Sequence, residues 1–176
     1  MEIYEPSDDS YFFAEFLKKY LNKNHPRTLL DVGCGSGILA KVAGKFFSKE
    51  NILCVDINQS AVCATRLIGF KAIKSNLFSK IPKDRKFDLI TFNAPYLPED
   101  KNEPKESKLI TTGGKLGDEI SLKFLEQAKE HLSDNGKILL LISSLTPQDR
   151  IKKFRPKIVA KKKIWLEELL ILEFSC

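Results

Sequence analysis

Leu29-Leu30-Asp31-Val32-Gly33-Cys34-Gly35-Ser36-Gly37 is the stretch whose reading decides the fold. An apolar run carries one acid, three glycines follow at alternate positions, and Ile38-Leu39-Ala40 opens a helical pattern. The order predicts a buried strand, a turn that needs residues without Cβ, and a helix start. Glycines in such a turn let the backbone approach a ligand closely, and the first N–H groups of the helix can meet a negative group. By itself a glycine-rich turn also serves as a plain tight connection.

Upstream, Tyr4-Glu5-Pro6-Ser7-Asp8-Asp9-Ser10 is polar and turn-like. Ser7 is placed to cap a helix, with Asp8 and Asp9 at the positive end of its dipole. Phe12, Phe13, Phe16, Leu17, Tyr20 and Leu21 then recur at helical spacing, a stripe that predicts docking on the main sheet before His25-Pro26 breaks the helix. Residues 1–25 read as a helical lead-in.

Downstream, helix is expected over 38–47, a buried strand over 51–56, and a helix capped by Asn58 and stopped by Gly69. Short strands follow over 70–75 and 87–92, the second running into Asn93-Ala94-Pro95-Tyr96. Residues 97–108, rich in charge and proline, predict a loop. A helix is expected from Asp118, with Ile120, Phe124, Leu125, Ala128 and Leu132 inward and Ser133-Asp134-Asn135-Gly136 as its stop. Strands over 137–142, 157–163 and 164–174 close the chain. Strands alternating with helices predict an α/β fold, a sheet with parallel pairing and helices on both faces.

The 176 residues suit one domain. Hydrophobic content of 43% and charged content of 30% are those of a globular chain. The longest apolar run, 138–142, is far too short to cross a bilayer, and the first residues lack a signal-peptide pattern. Cys34, Cys54, Cys63 and Cys176 show no C-x-x-C pairing, and only two histidines are present, so no metal site is expected and reduced thiols predict a cytoplasmic location. The net charge of +6 comes mostly from scattered lysines. The clusters Lys152-Lys153 and Lys161-Lys162-Lys163 have no interleaved aromatics, so direct nucleic-acid binding is permitted but not favoured.

In such a sheet, ligands bind beyond the carboxyl ends of the strands. A dinucleotide site would read G-x-G-x-x-G, whereas here the spacing is G-x-G-x-G with Asp31 before the first glycine. An acid there meets an amino group rather than a phosphate, which points to an amino-acid-bearing nucleotide, S-adenosylmethionine. Asp56 is placed to accept from ribose hydroxyls, or to cap the helix that follows. Asn76 and Leu77 are placed to flank an adenine ring, although Asn equally suits a turn. Asn93-Ala94-Pro95-Tyr96 combines an amide, a rigid turn and an aromatic ring. The Asn93 oxygen and the Ala94 carbonyl can each accept one N–H of a planar NH2 group while Tyr96 packs on its face. That arrangement needs no general base before transfer and works mainly by alignment.

These residues resemble a known family. Asp31 to Gly37, Asp56 and Asn93-Ala94-Pro95-Tyr96 are similar to those of class I S-adenosylmethionine-dependent methyltransferases with an N-P-P-Y-type motif. Residues 4–10 and Thr112-Gly113-Gly114-Lys115-Leu116-Gly117-Asp118-Glu119 resemble the HemK-related branch of archaea and eukaryotes, over nearly the whole chain. The resemblance implies a Rossmann-like, mostly parallel seven-stranded sheet with an antiparallel strand near the C-terminus. It implies N5-methylation of the glutamine in the Gly-Gly-Gln motif of a class I peptide-release factor. Ser10, Asp31, Gly33, Gly35, Asp56, Ile57, Asn76, Leu77 and Asn93 would contact the cofactor, which leaves as S-adenosylhomocysteine. Asn93, Ala94, Pro95 and Tyr96 would hold the substrate amide. A small zinc-binding activator subunit would form a heterodimer through strand 70–75, and the additional N-terminal helical domain of bacterial HemK enzymes has no room in this chain. Ala94 replaces the first proline of the motif, and Asn76 stands where an Asp is common.

Other functions compete. Methylation of adenine-N6 or guanine-N2 also suits a site shaped for a planar NH2, with a flipped base on Tyr96. Protein-lysine methylation gains less from such a site. A non-catalytic, degenerate methyltransferase fold would be expected to have lost Asp31, Gly33, Gly35, Asp56 or Asn93, and all are intact.

Overall fold

The structure, a computed structural model, describes residues 5–99 and 111–175. Most of the predicted loop 97–108 lies outside the described residues, as do Tyr4 and Cys176. The chain builds α1 (Asp8–Lys23), β1 (Leu29–Val32), α2 (Ile38–Ala43), β2 (Ile52–Asp56), α3 (Gln59–Leu67), β3 (Lys71–Lys74) and β4 (Phe87–Asn93). These are followed by α4 (Glu119–Ala128), β5 (Leu132–Ser143), α5 (Asp149–Lys152), β6 (Lys157–Ile164) and β7 (Glu167–Ser175).

One seven-stranded sheet runs in the order β3-β2-β1-β4-β5-β7-β6. The first five strands are parallel, and β7 is antiparallel to both β5 and β6. The apolar runs read as they do because both faces are covered. Leu30, Val32, Leu53, Val55, Ile138, Leu140 and Ile142 enter one core with Phe124 and Leu125 of α4. Their alternates Leu29, Ile52, Cys54, Leu139 and Leu141 enter the other with Phe13 and Leu17 of α1 and Leu39 of α2. Phe13, Leu17 and Leu21 of the predicted stripe are buried, with Phe12, Phe16 and Tyr20 half-buried beside them.

Several boundaries differ from expectation. Helix α2 stops at Ala43, because Lys45 and Phe46 bond three residues back and tighten the chain into turns. Asn51 closes a short 3-10 turn, and Phe70 and Ser75 fall outside β3. Helix α4 ends at Ala128, and Leu132 is the first residue of β5 rather than part of a helical face. Phe87 pairs with Leu132 and Leu89 with Lys137, so residues 133–136 bulge within the strand instead of preceding it. The final turn lies at residues 165–166, two positions beyond the expected one. Ser7 occupies the N-cap of α1, but its hydroxyl donates to Asp9 Oδ1 at 2.7 Å rather than capping a backbone N–H. Asn58 caps α3 as expected, accepting from Ser60 N at 2.9 Å.

Candidate active site

The strand order reverses between β1 and β4, and a cleft of about 700 Å³ opens there at the carboxyl edge. Ser10, Asp31, Gly33, Gly35, Asp56, Ile57, Asn76, Leu77, Asn93, Ala94, Pro95 and Tyr96 all line it. The topology thus brings together every candidate site residue of the sequence.

Asp31 sits within β1 and is 1% exposed. Thr91 of the neighbouring strand donates its hydroxyl to Asp31 Oδ1 at 2.8 Å, while Oδ2 is buried with no hydrogen-bond partner among the described residues. Burial pushes its pKa up to about 7; the Thr91 bond opposes this and the charge of Asp56 adds to it. A buried carboxylate oxygen without a partner is costly, and a ligand ammonium would relieve it.

Gly33 follows with φ of +63°, and a Cβ there would stand 2.9 Å from the Phe92 ring. Phe92 itself packs on Phe124, with ring centroids 4.7 Å apart. The turn therefore excludes a side chain both by backbone conformation and by space. Across it, Asp56 Oδ2 accepts from Gly35 N at 2.9 Å and Oδ1 accepts from Asn58 N at 2.8 Å. The acid of β2 thus ties the glycine turn to the start of α3, and its spare lone pairs remain for a ligand hydroxyl. Burial raises its pKa, opposed by the N–H groups of Asn58, Gly35 and Ile57. Leu77 lines the cleft in the left-handed region, at φ of +49°.

Asn93 ends β4. Its Nδ2 donates to Asp9 Oδ2 at 3.1 Å and lies 3.5 Å from Ser10 Oγ, while Oδ1 is buried with no hydrogen-bond partner among the described residues. Asp9, 6% exposed, is the residue that sequence reasoning missed. It read as a helix-dipole acid, and only its proximity to Ser10 in sequence hinted at the site. Ala94 is buried, and Tyr96 is half-buried against the core beside α1 and α2.

The Asn93–Tyr96 segment is gripped from behind. Gly113 N donates to Leu97 O and Leu97 N to Thr111 O, both at 2.9 Å. A Cβ on Gly113 would overlap Gly117 O and come within 2.6 Å of Pro95 O, so backbones meet directly there. Arg150 fixes the loop by a bidentate pair with Asp118, Nε to Oδ2 at 2.9 Å and Nη2 to Oδ1, while Glu119 accepts from Leu116 N and Gly117 N at 3.2 Å. The Thr112–Glu119 motif therefore backs the site as a support.

Among the described residues, no group of His, Cys, Asp or Glu is arranged to hold a metal, and no helix is long and apolar enough to cross a membrane.

Residues 12–164 match the model of the methyltransferase small domain. A Methanocaldococcus jannaschii protein, named as a candidate protein N5-glutamine methyltransferase, is 33% identical over 97% of this chain and 90% of its own. The release factor glutamine methyltransferase of Clostridium botulinum is 33% identical over 76% of this chain, which spans 53% of that protein. A ribosomal RNA small subunit methyltransferase C from Photorhabdus laumondii is 30% identical over 68% of this chain and 32% of its own length. In fold, a ribosomal protein L11 methylase from Lactobacillus delbrueckii superposes with a TM-score of 0.68 at 22% identity, covering 98% of this chain and 81% of that one. The chain belongs to the methyltransferase small domain family: it is a HemK-related class I methyltransferase that takes S-adenosylmethionine as its methyl donor.

Proposed function

We propose that this enzyme methylates the side-chain N5 of the glutamine in the Gly-Gly-Gln motif of a class I peptide-release factor, as a member of the archaeal and eukaryotic HemK-related branch. The observation that carries the reading is Asn93 Oδ1, a buried acceptor without a hydrogen-bond partner among the described residues, set beside Tyr96 at the end of β4. An acceptor fixed in one direction suits a planar NH2 donor. A protein-lysine ammonium would gain little from it.

S-adenosylmethionine supplies an activated methyl group when bound. Asp31 Oδ2 would hold its ammonium, Asp56 its ribose hydroxyls, and Asn76 and Leu77 its adenine. Gly33, Gly35 and Ile57 would shape the wall, and Ser10 would close the side next to Asn93. Asn93 Oδ1 and the Ala94 carbonyl would each accept one N–H of the substrate amide, and Pro95 and Tyr96 would hold its plane. The amide nitrogen would thus be held facing the donor's methyl group, with its surplus proton open to solvent and the donor leaving as S-adenosylhomocysteine. Alignment of this sort supplies up to roughly 7–11 kcal/mol of barrier reduction in favourable cases. Ala94 keeps its carbonyl in place of the usual proline.

We also propose the activator heterodimer through β3. Among the described residues that strand pairs only with β2, and Leu67 nearby is 87% exposed. An uncovered edge beside apolar surface favours strand addition by a partner.

The test is transfer of labelled methyl to a class I release factor, with and without a small zinc-binding partner. Label should vanish when the factor's Gln becomes Asn, and with Asn93→Ala. Transfer to total RNA or DNA and none to the factor would instead support the base-amine reading, which the similarity to a ribosomal RNA enzyme keeps specific.

A further inference from the structure

The turn between β6 and β7 consists of Trp165 and Leu166, enclosed by the pair Ile164↔Glu167. These two side chains are 93% and 96% exposed. Trp165 also holds a left-handed φ of +46°, where a hairpin ordinarily places glycine or asparagine. Neither the core nor the turn calls for these residues.

Their position ties them to the cleft. Strand β7 runs against β5 with Ser143 opposite Leu169, which puts the turn at the carboxyl edge of the sheet. Ser144 N donates to Glu168 O at 2.7 Å and Glu168 N to Ser144 Oγ at 2.9 Å, so the loop after β5 is bonded to the hairpin. Two residues on, Thr146 Oγ1 donates to Tyr96 O at 3.4 Å. From the other side, Lys162 pairs with Asp8 at 3.1 Å, next to Asp9. Leu145, in the joining loop, adds a third apolar side chain and is 56% exposed.

We propose that Trp165, Leu166 and Leu145 form the docking surface for the substrate protein, outside the cleft that takes its glutamine; this rests on the function proposed above. The occupant is a folded protein presenting an apolar patch with a carboxylate beside it that meets Lys163. Lys163 argues for that carboxylate. Asp8 is ion-paired with Lys162 and Glu168 with Lys161, Glu167 is turned to a hydrogen bond from Ser143, and Lys163 is exposed with no ion pair among the described residues. The apolar content argues for protein over nucleic acid, since single strands are bound on several aromatic platforms along a cationic groove and this surface offers one ring. Specificity requires such a surface, because a cleft that reads one amide cannot tell one glutamine from another.

The experiment compares the wild type with Trp165→Ala/Leu166→Ala and with Lys163→Glu, activator present, on the intact release factor and on a short peptide carrying its Gly-Gly-Gln. The side chains are exposed, so the melting temperature should hold. KM for the intact factor should rise about tenfold or more in the double variant, with kcat and the peptide's kcat/KM nearly unchanged. Lys163→Glu should also raise that KM. An unchanged KM, or equal losses on factor and peptide, overturns the docking surface while leaving the proposed function standing. No transfer to the factor by the wild type removes both. Lost binding of ribosomal RNA, of anionic vesicles or of a second copy, with factor kinetics intact, overturns the proposal in favour of that occupant.

Discussion

Asn93 Nδ2 donates a hydrogen bond to Asp9 Oδ2 at 3.1 Å, although the two residues lie 84 positions apart in the chain. The bond decides which end of the amide faces the cleft, because a carboxylate accepts only from the NH2 end. Oδ1 is thereby left buried and without a hydrogen-bond partner among the described residues, the acceptor that the proposed function assigns to the substrate amide.

Removing Asp9 should therefore act on orientation. Asp9→Ala should lower kcat about 10–100-fold, corresponding to a charge-assisted bond of about 1.5–3 kcal/mol, with cofactor affinity little changed. Steady-state kinetics together with cofactor titration check this, and an unchanged kcat would remove Asp9 from the positioning of Asn93.

Asp31 should make cofactor binding pH-dependent. Its carboxyl titrates near 7 in the fold, because burial disfavours the charge, against ~3.9 in an unfolded chain. An ammonium ligand needs the ionised form, so affinity for S-adenosylmethionine should be flat at high pH and fall toward tenfold per unit below about pH 7. Calorimetry across pH 5.5–8.5 reads this directly. A flat profile would show that Asp31 does not meet the ammonium.

The same group affects the stability of the ligand-free protein with the opposite sense. Its folded pKa is raised, so its contribution is fully present below about pH 4 and is lost as pH rises through about 7. Asp31→Asn should melt higher than the wild type at pH 8 and differ little near pH 4, while losing cofactor binding at pH 8, where the wild-type carboxylate is ionised. Paired thermal melts test the sign.

Gly33→Ala places a Cβ in the left-handed region and within 2.9 Å of the Phe92 ring. A destabilisation of about 1–3 kcal/mol is expected from the two effects together, along with weakened cofactor binding. Urea unfolding and calorimetry measure the two halves separately.

Arg150 supports the site from behind. Asp118, its partner, has a fully buried side chain, whereas Arg150 is 43% exposed. Arg150→Ala should lower the melting temperature, because it leaves the buried Asp118 carboxylate without its ion-pair partner. Loosening of residues 113–117 against Pro95 should raise KM for the substrate more than for the cofactor.

The glycine turn and the N-A-P-Y segment were legible in sequence because their chemistry is local. A turn without Cβ needs glycine wherever it occurs, and an acid, an amide or a ring announces itself by type. The alternation of buried strands and amphipathic helices was legible for a related reason, since each strand buries both faces and each helix one stripe. Boundaries were harder. Residues 133–136 carry a strong stop signal, yet the pairing of Phe87 with Leu132 draws them into β5 as a bulge. Long-range pairing outweighed the local preference there.

By itself, then, the sequence determined the α/β class, the strand-to-helix turn at Gly33, and the identities of the groups offered to a ligand, because these follow from residue chemistry and periodicity. The tertiary structure alone decided how those groups are arranged. Asp9 meets Asn93, Asp56 bridges two turns, Arg150 grips a loop behind Pro95, and Trp165 comes to lie at the carboxyl edge of the sheet. Each depends on which strand ends and loops the sheet order brings together, and no local pattern encodes that.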